Sequence, residues 1–517
     1  MKKIIYTALF CLSVSSAPFL LNSCQDSLEI IQPGEVTDEV LFTNVDNLAT
    51  YLNGVYARFE PSYGMYLTAV LTDEVKPGKG SGGQEFQLHR FFLNTNDTYT
   101  SRIWLYNYNV INRVNRLLEG AKNITPTSAA ETIKYNNTIA QARALRAYAY
   151  LELETYFSTN MKDENALGVM LVDNVPATTD IKLPRVANKE IYALINADLD
   201  YARTILTNST DRYHVDQRFV NAVAARFNLY RGNYSLAKQY AQAVINSGLA
   251  LTQATPIDPD GDGINTAAWR TKFYSNTPFN PYRKIWADTD RGEVIFALNR
   301  LASGNGASIG TYWNTNASQA SGVPMWYWGR NLFNIFYNTD GDIRRYAYLD
   351  PSSTVDANYL TSSSPTQTDV LIVDKYPGKT GSTTRNDVKL FRISEMYFIL
   401  AECAVEENDF IQAQNYVQAV RAARNYKGTA TTPTYATQQA ALADILKERR
   451  VELALEGHRY IDLKRLATRA GVTMDRNPTD DNVAVSNLTN DSYKYTLPIP
   501  LSEIAANPSA QQNPGYN

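Results

Sequence analysis

Two groups of residues in this chain have the types and spacing for binding chemistry. The first is aromatic: Tyr312-Trp313, then Trp326-Tyr327-Trp328. A sugar ring has an apolar C–H face and a polar rim. An exposed indole stacks on that face while Asn, Arg or Asp side chains take the hydroxyls. Pro324 precedes the second triplet, and Gly322 and Gly329 flank it, which predicts a loop. The competing reading is that these rings pack an irregular segment onto the rest of the molecule. The second group is acidic. Asp258, Asp260 and Asp262 alternate, Gly263 follows, and Ile264 stands where a calcium loop offers its backbone carbonyl. This resembles the start of an EF-hand loop, so a structural Ca2+ is the expected occupant. Trp269 takes the place of the closing bidentate Glu, so an outside acid such as Asp288 or Asp290 must complete the shell. The competing reading is a solvated acidic turn.

Catalytic chemistry is not expected. The chain has His89, His214 and His458. No nucleophile elbow, zinc-protease helix, phosphate loop or dinucleotide fingerprint appears in it. No glycosidase carboxylate pair can be singled out from sequence, so no catalytic residue is assigned.

The elements that must hold these residues are mostly helical. Hydrophobic residues make up 44% and charged residues 20% of 517 residues, an ordinary globular balance. The net charge of −3 supplies no basic field for nucleic acid. Tyr is abundant at 35 residues, which suits helix seams and wet recognition surfaces alike. Residues 47–59 and 103–118 carry apolar positions at helical spacing, and 129–157 is a long Ala-rich helix. The segment 188–206 opens with Asn188 as an expected cap and Glu190 in its first turn. Two helix–turn–helix units align at Asn233-Tyr234-Ser235-Leu236-Ala237 and Asp409-Phe410-Ile411-Gln412-Ala413. The aromatic fills the turn and the Ala three residues later lets two helices approach, as in tetratricopeptide pairs. Their distance apart argues against a regular solenoid.

Between them, residues 251–390 are rich in Gly, Asn, Ser, Thr and Pro and hold five of the 6 Trp. The fold class expected is therefore mostly α: helix pairs forming a scaffold over about 41–250 and 391–470. An irregular, ligand-binding lobe over about 251–390 and C-terminal loops over 471–517 complete one domain, 41–517.

The N-terminus reads as an export address. Lys2 and Lys3 precede an apolar run, Ile4 to Val14, too short to span a bilayer. Leu21-Asn22-Ser23-Cys24 resembles a lipobox. Residues 1–23 are then the lipoprotein signal peptide, Cys24 carries the lipid (palmitate among its chains), and 24–40 form the tether. Cys11 leaves with the signal, so only Cys403 remains inside and no internal disulfide is available. Acidic residues just after Cys24, Asp26 and Glu29, resemble the surface-export signal of lipoproteins in the Bacteroidetes.

Several segments together resemble the SusD/RagB family. They are Trp104, Tyr108, Asn112 and Asn115; Ala142-Arg143-Ala144-Leu145-Arg146-Ala147-Tyr148; Ile195-Asn196-Ala197-Asp198-Leu199; Glu448-Arg449-Arg450-Val451-Glu452-Leu453 with Glu456-Gly457-His458-Arg459-Tyr460-Ile461-Asp462-Leu463-Lys464-Arg465; and Pro498-Ile499-Pro500 with Asn513-Pro514-Gly515-Tyr516. The resemblance implies an outer-membrane lipoprotein, facing outwards, that captures a nutrient and passes it to a SusC-like TonB-dependent transporter. The cargo implied is a glycan, with oligopeptide as the alternative. An adhesin or scaffold that imports nothing is the rival from another class. The family also uses the loop after its early acidic pair, here Asp73-Glu74, which adds Gln84, His89 and Arg90 to the ligand-binding candidates. By contrast, the charges of the 448–465 motif are spaced to pair on neighbouring turns, which assigns them to holding the fold.

Overall fold

The structure is a computed structural model that describes residues 41–176, 182–275, 281–304, 306–313 and 323–516. The signal segment, Cys24 and the tether lie outside the described residues. So do Gly322 and the segment just after Trp313.

Ten long helices carry the fold: Val45–Arg58, Thr98–Ala121, Ala129–Phe157, Asn188–Ile205, Gln217–Tyr230, Tyr234–Ile245, Ile393–Glu406, Phe410–Arg424, Gln438–Glu452 and Arg459–Ala470. Their starts are written in the sequence. Asn44, Asp97, Ser128, Asp216, Asn233, Asp409 and Thr437 each accept a backbone N–H of the first turn on the side chain. Asn188 departs from its expected cap role. It is the first helical residue, and its side-chain amide donates to the carbonyls of Asn160 and Asp163.

The two tetratricopeptide-like pairs are neighbours in space. Tyr234–Ile245 packs against Ile393–Glu406, so the second helix of one pair meets the first of the next across a long insertion. Ala237, Ala241 and Ala413 are fully buried at these seams, where a small side chain permits close approach. The insertion is possible because the lobe leaves and returns at one place. Strand β2 (Val294–Leu298) pairs antiparallel with β4 (Val388–Arg392), which leads straight into helix Ile393–Glu406. A second short ladder ties the lobe to the N-terminal helices: β1 (Val75–Pro77) pairs antiparallel with β3 (Trp326–Trp328). Among the described residues no helix is long and apolar enough to cross a membrane.

The 448–465 motif locks this assembly through buried charge. Glu452 takes Arg392 at 2.7 Å, Arg424 at 2.8 Å and Arg344 at 3.2 Å. Asp462 takes Arg449 and Arg465, each at 2.7 Å, and Arg459 reaches Asp73 at 2.8 Å. Upstream, Arg146 grips Asp198 at 2.7 Å and joins two further helices. Buried ions are tolerated only when paired and hydrogen-bonded. Apart from Asp462–Arg465, which lies within one helix, each of these pairs bridges segments far apart in sequence or closes the turn between two helices.

Candidate functional site

The expected aromatic platform is internal. Trp313, Trp326 and Trp328 are all 0% exposed and Tyr327 is buried. The Trp326 indole N–H donates to the Tyr66 hydroxyl at 2.9 Å, and the Trp328 indole N–H donates to the Tyr348 carbonyl at 2.9 Å. Trp328 also stacks on the Tyr348 ring, with centroids 5.6 Å apart. The triplet lies in β3, paired to β1 beneath the helices, so no indole face is left for a ligand. Gly78 and Gly80 permit that pairing. A Cβ on either would lie 2.5 Å and 2.0 Å from the carbonyl oxygens of Pro324 and Val323.

His89 is buried too. Its Nδ1 lies 3.0 Å from the Val70 carbonyl, and burial together with Arg476 holds its pKa well below the usual imidazole range. Arg90 is engaged in a bidentate pair with Asp481, both contacts at 2.9 Å. These two residues therefore hold the loop in place. Gln84 is exposed at the turn of that loop, beside Glu85.

Tyr312 is the one ring of the expected platform that stays half-buried, and the fold brings it to tyrosines the sequence reading had not singled out. Helix Ser62–Leu71 is buried along its length except at Tyr63. Gly64 seats it, since a Cβ there would lie 2.6 Å from the Tyr156 hydroxyl. Tyr63 meets Tyr106 at 5.2 Å and Tyr99 at 6.4 Å between ring centroids. Tyr66, behind, packs on Tyr99 at 4.5 Å and on Tyr312 at 4.7 Å. The Arg102 guanidinium lies 4.8 Å over the Tyr63 ring. Tyr99, Arg102 and Tyr106 stand at i, i+3 and i+7 on helix Thr98–Ala121, hence on one flank of it. Buried Glu60 anchors the segment bearing Tyr312. It pairs with Arg300 at 3.2 Å and accepts the Ala307 N–H at 2.7 Å.

The site combines neutral phenols with one exposed guanidinium. Burial, then the hydrogen bond to Tyr106, pushes the Tyr63 hydroxyl up to about 12. Burial also raises Tyr99 and Tyr312, so all three remain hydrogen-bond donors at neutral pH. Glu85 is raised by burial and by Asp97, while Tyr99 and Arg102 act to keep it ionised. Arg102 is exposed and makes no ion pair among the described residues. A half-exposed rim of phenol faces and hydroxyls with a guanidinium is a surface that can stack a ring and bond its polar edge. The sequence signal that could have found these residues is the i, i+3, i+7 spacing of Tyr99, Arg102 and Tyr106. A core-facing flank gives the same spacing.

The acidic loop is also rearranged. The Lys272 ammonium lies 2.8 Å from Asp260 and 2.6 Å from Asp262. Asp258 accepts the Gly263 N–H at 3.0 Å, Asp288 is turned to Lys389 at 2.6 Å, and Ile264 is an exposed side chain on the turn. Among the described residues no group of three His, Cys, Asp or Glu is arranged to hold a metal ion. Lys272 thus pairs with two of the three carboxylates on which the calcium reading rests.

Comparison with known proteins assigns the fold and the kinship. A family model described as "SusD family" matches residues 305–516, and one described as "Starch-binding associating with outer membrane" matches residues 29–229. The chain belongs to the SusD family. SusD-like protein P2 of Formosa agariphila is 24% identical over 96% of this chain and 97% of that protein. SusD-like protein P38 of the same organism is 24% identical over 100% of this chain and 99% of its own length. Among solved structures, a putative sugar binding protein of Bacteroides vulgatus superposes with a TM-score of 0.71. It is 24% identical and covers 91% of this chain and 98% of its own. A SusD superfamily protein of Bacteroides thetaiotaomicron gives a TM-score of 0.72 at 22% identity, covering 91% of this chain and 100% of that one. This SusD-family chain thus shares the helical architecture of these solved structures over about 91% of its length.

Proposed function

We propose that this chain is a non-catalytic surface lipoprotein that captures an oligosaccharide and delivers it to a TonB-dependent outer-membrane transporter. The observation that carries the reading is the half-exposed cluster of Tyr63, Tyr99, Tyr106 and Tyr312 with Arg102 over Tyr63. Phenol rings stack on the C–H face of a pyranose, and their protonated hydroxyls and the guanidinium serve its oxygen rim. The names of similar proteins support a carbohydrate cargo and an outer-membrane setting: one family model is described by starch binding and the outer membrane, and one solved structure is named for sugar binding. The lipobox-like Leu21-Asn22-Ser23-Cys24 supports attachment by a lipid on Cys24.

The test is calorimetric titration of an oligosaccharide panel into wild type and into Tyr63→Ala/Tyr106→Ala. Losing one stacked face is worth about 1–2 kcal/mol, roughly a 5- to 30-fold weaker affinity per ring. A variant that melts normally yet binds the same oligosaccharide at full strength removes this cluster as the site. Binding of oligopeptides with no saccharide binding moves the cargo to peptide.

A further inference from the structure

A cavity lined by none of the residues of the tyrosine cluster carries two guanidiniums in its wall. It has a volume of about 130 Å³, and its wall includes Arg270, Tyr274, Tyr337, Arg345, Tyr346 and Ser353. Arg345 is held by two rings, its guanidinium 4.2 Å over Tyr337 and 5.6 Å over Tyr346. Among the described residues its guanidinium makes no ion pair and no hydrogen bond to the protein, and only its backbone N–H is taken, by the Asp342 carbonyl. Arg270 is exposed, and its guanidinium makes one hydrogen bond among the described residues, at 3.4 Å to the Pro351 carbonyl. Behind them Trp269 packs on Tyr346 at 5.5 Å, which makes the aromatic wall rigid. The acid in the wall, Asp350, is buried and accepts from the N–H and hydroxyl of Ser352. Elsewhere in this protein many buried arginines are paired with carboxylates, as at Glu452 and Asp462, and others, such as Arg185 and Arg476, donate to backbone carbonyls. Two guanidiniums left without a carboxylate, in a cleft walled by tyrosine, make a receptor for a planar or ring-borne anion.

We infer that this cleft is a separate binding site for an anionic sugar unit, one bearing a carboxylate or a sulfate ester. Arg270 and Arg345 bind the anion, and Tyr337, Tyr346 and Ser353 receive the ring and its hydroxyls. The saccharide half of this inference rests on the capture reading above; the anion half does not. Carboxylate and sulfate both match the forked donors of Arg, so the experiment carries both.

The full chain, freed of its anchor by Cys24→Ala, is titrated with trigalacturonate, with a sulfated carrageenan tetrasaccharide and with neutral cellotriose. The same titrations are made on Arg270→Gln/Arg345→Gln, on Arg345→Lys and on Tyr63→Ala/Tyr106→Ala. At least one charged oligosaccharide should bind, about tenfold or more weaker in the double glutamine variant. Its affinity should fall with added salt. Arg345→Lys, which keeps charge but loses the fork and the stacking, should fall between. Tyr63→Ala/Tyr106→Ala should leave this binding unchanged, while failure of the capture reading shows as the absence of any effect of that variant on neutral sugars. The inference is overturned if neither charged sugar binds, or if their affinity is unaltered in Arg270→Gln/Arg345→Gln with a wild-type melting curve. It is also overturned if the tyrosine-cluster variant alone abolishes charged-sugar binding.

Discussion

Replacing Trp326 by Ala tests the placement of the binding surface most directly, because the tryptophan is the residue type expected to touch a sugar and the structure puts it inside. Its ring is 0% exposed, its N–H is spent on the Tyr66 hydroxyl at 2.9 Å, and its strand pairs with β1. Removing a buried indole costs about 3–5 kcal/mol from lost transfer energy and the cavity left behind. For a chain of 517 residues the unfolding entropy is about 1 kcal/mol per degree near the melting point, so Trp326→Ala should lower Tm by about 3–5 °C. Tyr63→Ala removes a half-exposed ring, so its cost should stay near 1 kcal/mol and its Tm within about 1 °C of wild type. Thermal melts by circular dichroism on the Cys24→Ala chain read both, and oligosaccharide titration on the same samples reads binding. The expected pattern is crossed: Trp326→Ala less stable, Tyr63→Ala weaker in binding. If Trp326→Ala melts like wild type and loses the ligand, the indole is a solvent-facing platform and the burial argument fails.

Four further outcomes are expected. Glu74 is held up to about 8 by burial, and its Oε2 is buried without a partner while Oε1 accepts the Leu455 N–H at 3.0 Å. A carboxyl neutral in the fold but ionised in the unfolded chain takes up a proton on folding. Its term therefore falls by about 1.4 kcal/mol per pH unit as pH rises from about 4.5 to 8. Glu74→Gln should flatten that decline in a series of melts from pH 5 to 8; a parallel, undiminished slope refutes it. Asp73 and Asp462 are held below the usual carboxylate range although burial opposes it, because Arg450 and Arg459 flank the first and Arg449 and Arg465 the second. Their stabilisation is present above the unfolded pKa of about 4 and is lost as pH falls below it, so neutralising either to Asn should weaken the acid limb of the same series. With Lys272 on Asp260 and Asp262, excess chelator should leave the melting curve unchanged, and a clear drop would reinstate the calcium loop. Cys24→Ala should release the protein from outer-membrane fractions and abolish palmitate labelling, and persistence of both would remove the anchor assignment.

The sequence alone determined the helical scaffold, the site of the insertion and the family. Caps such as Asp216, Asn233 and Asp409, the Ala–aromatic spacing of the two helix pairs and the 448–465 charge pattern are local signals. Local signals survive in sequence because each depends on neighbours within a turn or two. The reading that Glu448 to Arg465 hold the fold followed from those spacings, and the structure supplies their partners, Arg392, Arg424 and Asp73 among them. What tertiary structure decided was which aromatics see water. Trp326 and Trp328 sit in a Gly- and Pro-flanked stretch that reads as loop, yet β1, some 250 residues earlier, claims them as a buried strand. Tyr63, Tyr99, Arg102 and Tyr106 lie on helices whose periodicity fits a core face equally well, and only the packing of one helix beside the other leaves their rings half open. Asp260 and Asp262 show the same rule for charge. Their spacing fits a cation, but the helical turn that follows brings Lys272 onto them. Burial and pairing are properties of non-local contacts, and periodicity fixes which residues share a face without fixing what that face meets.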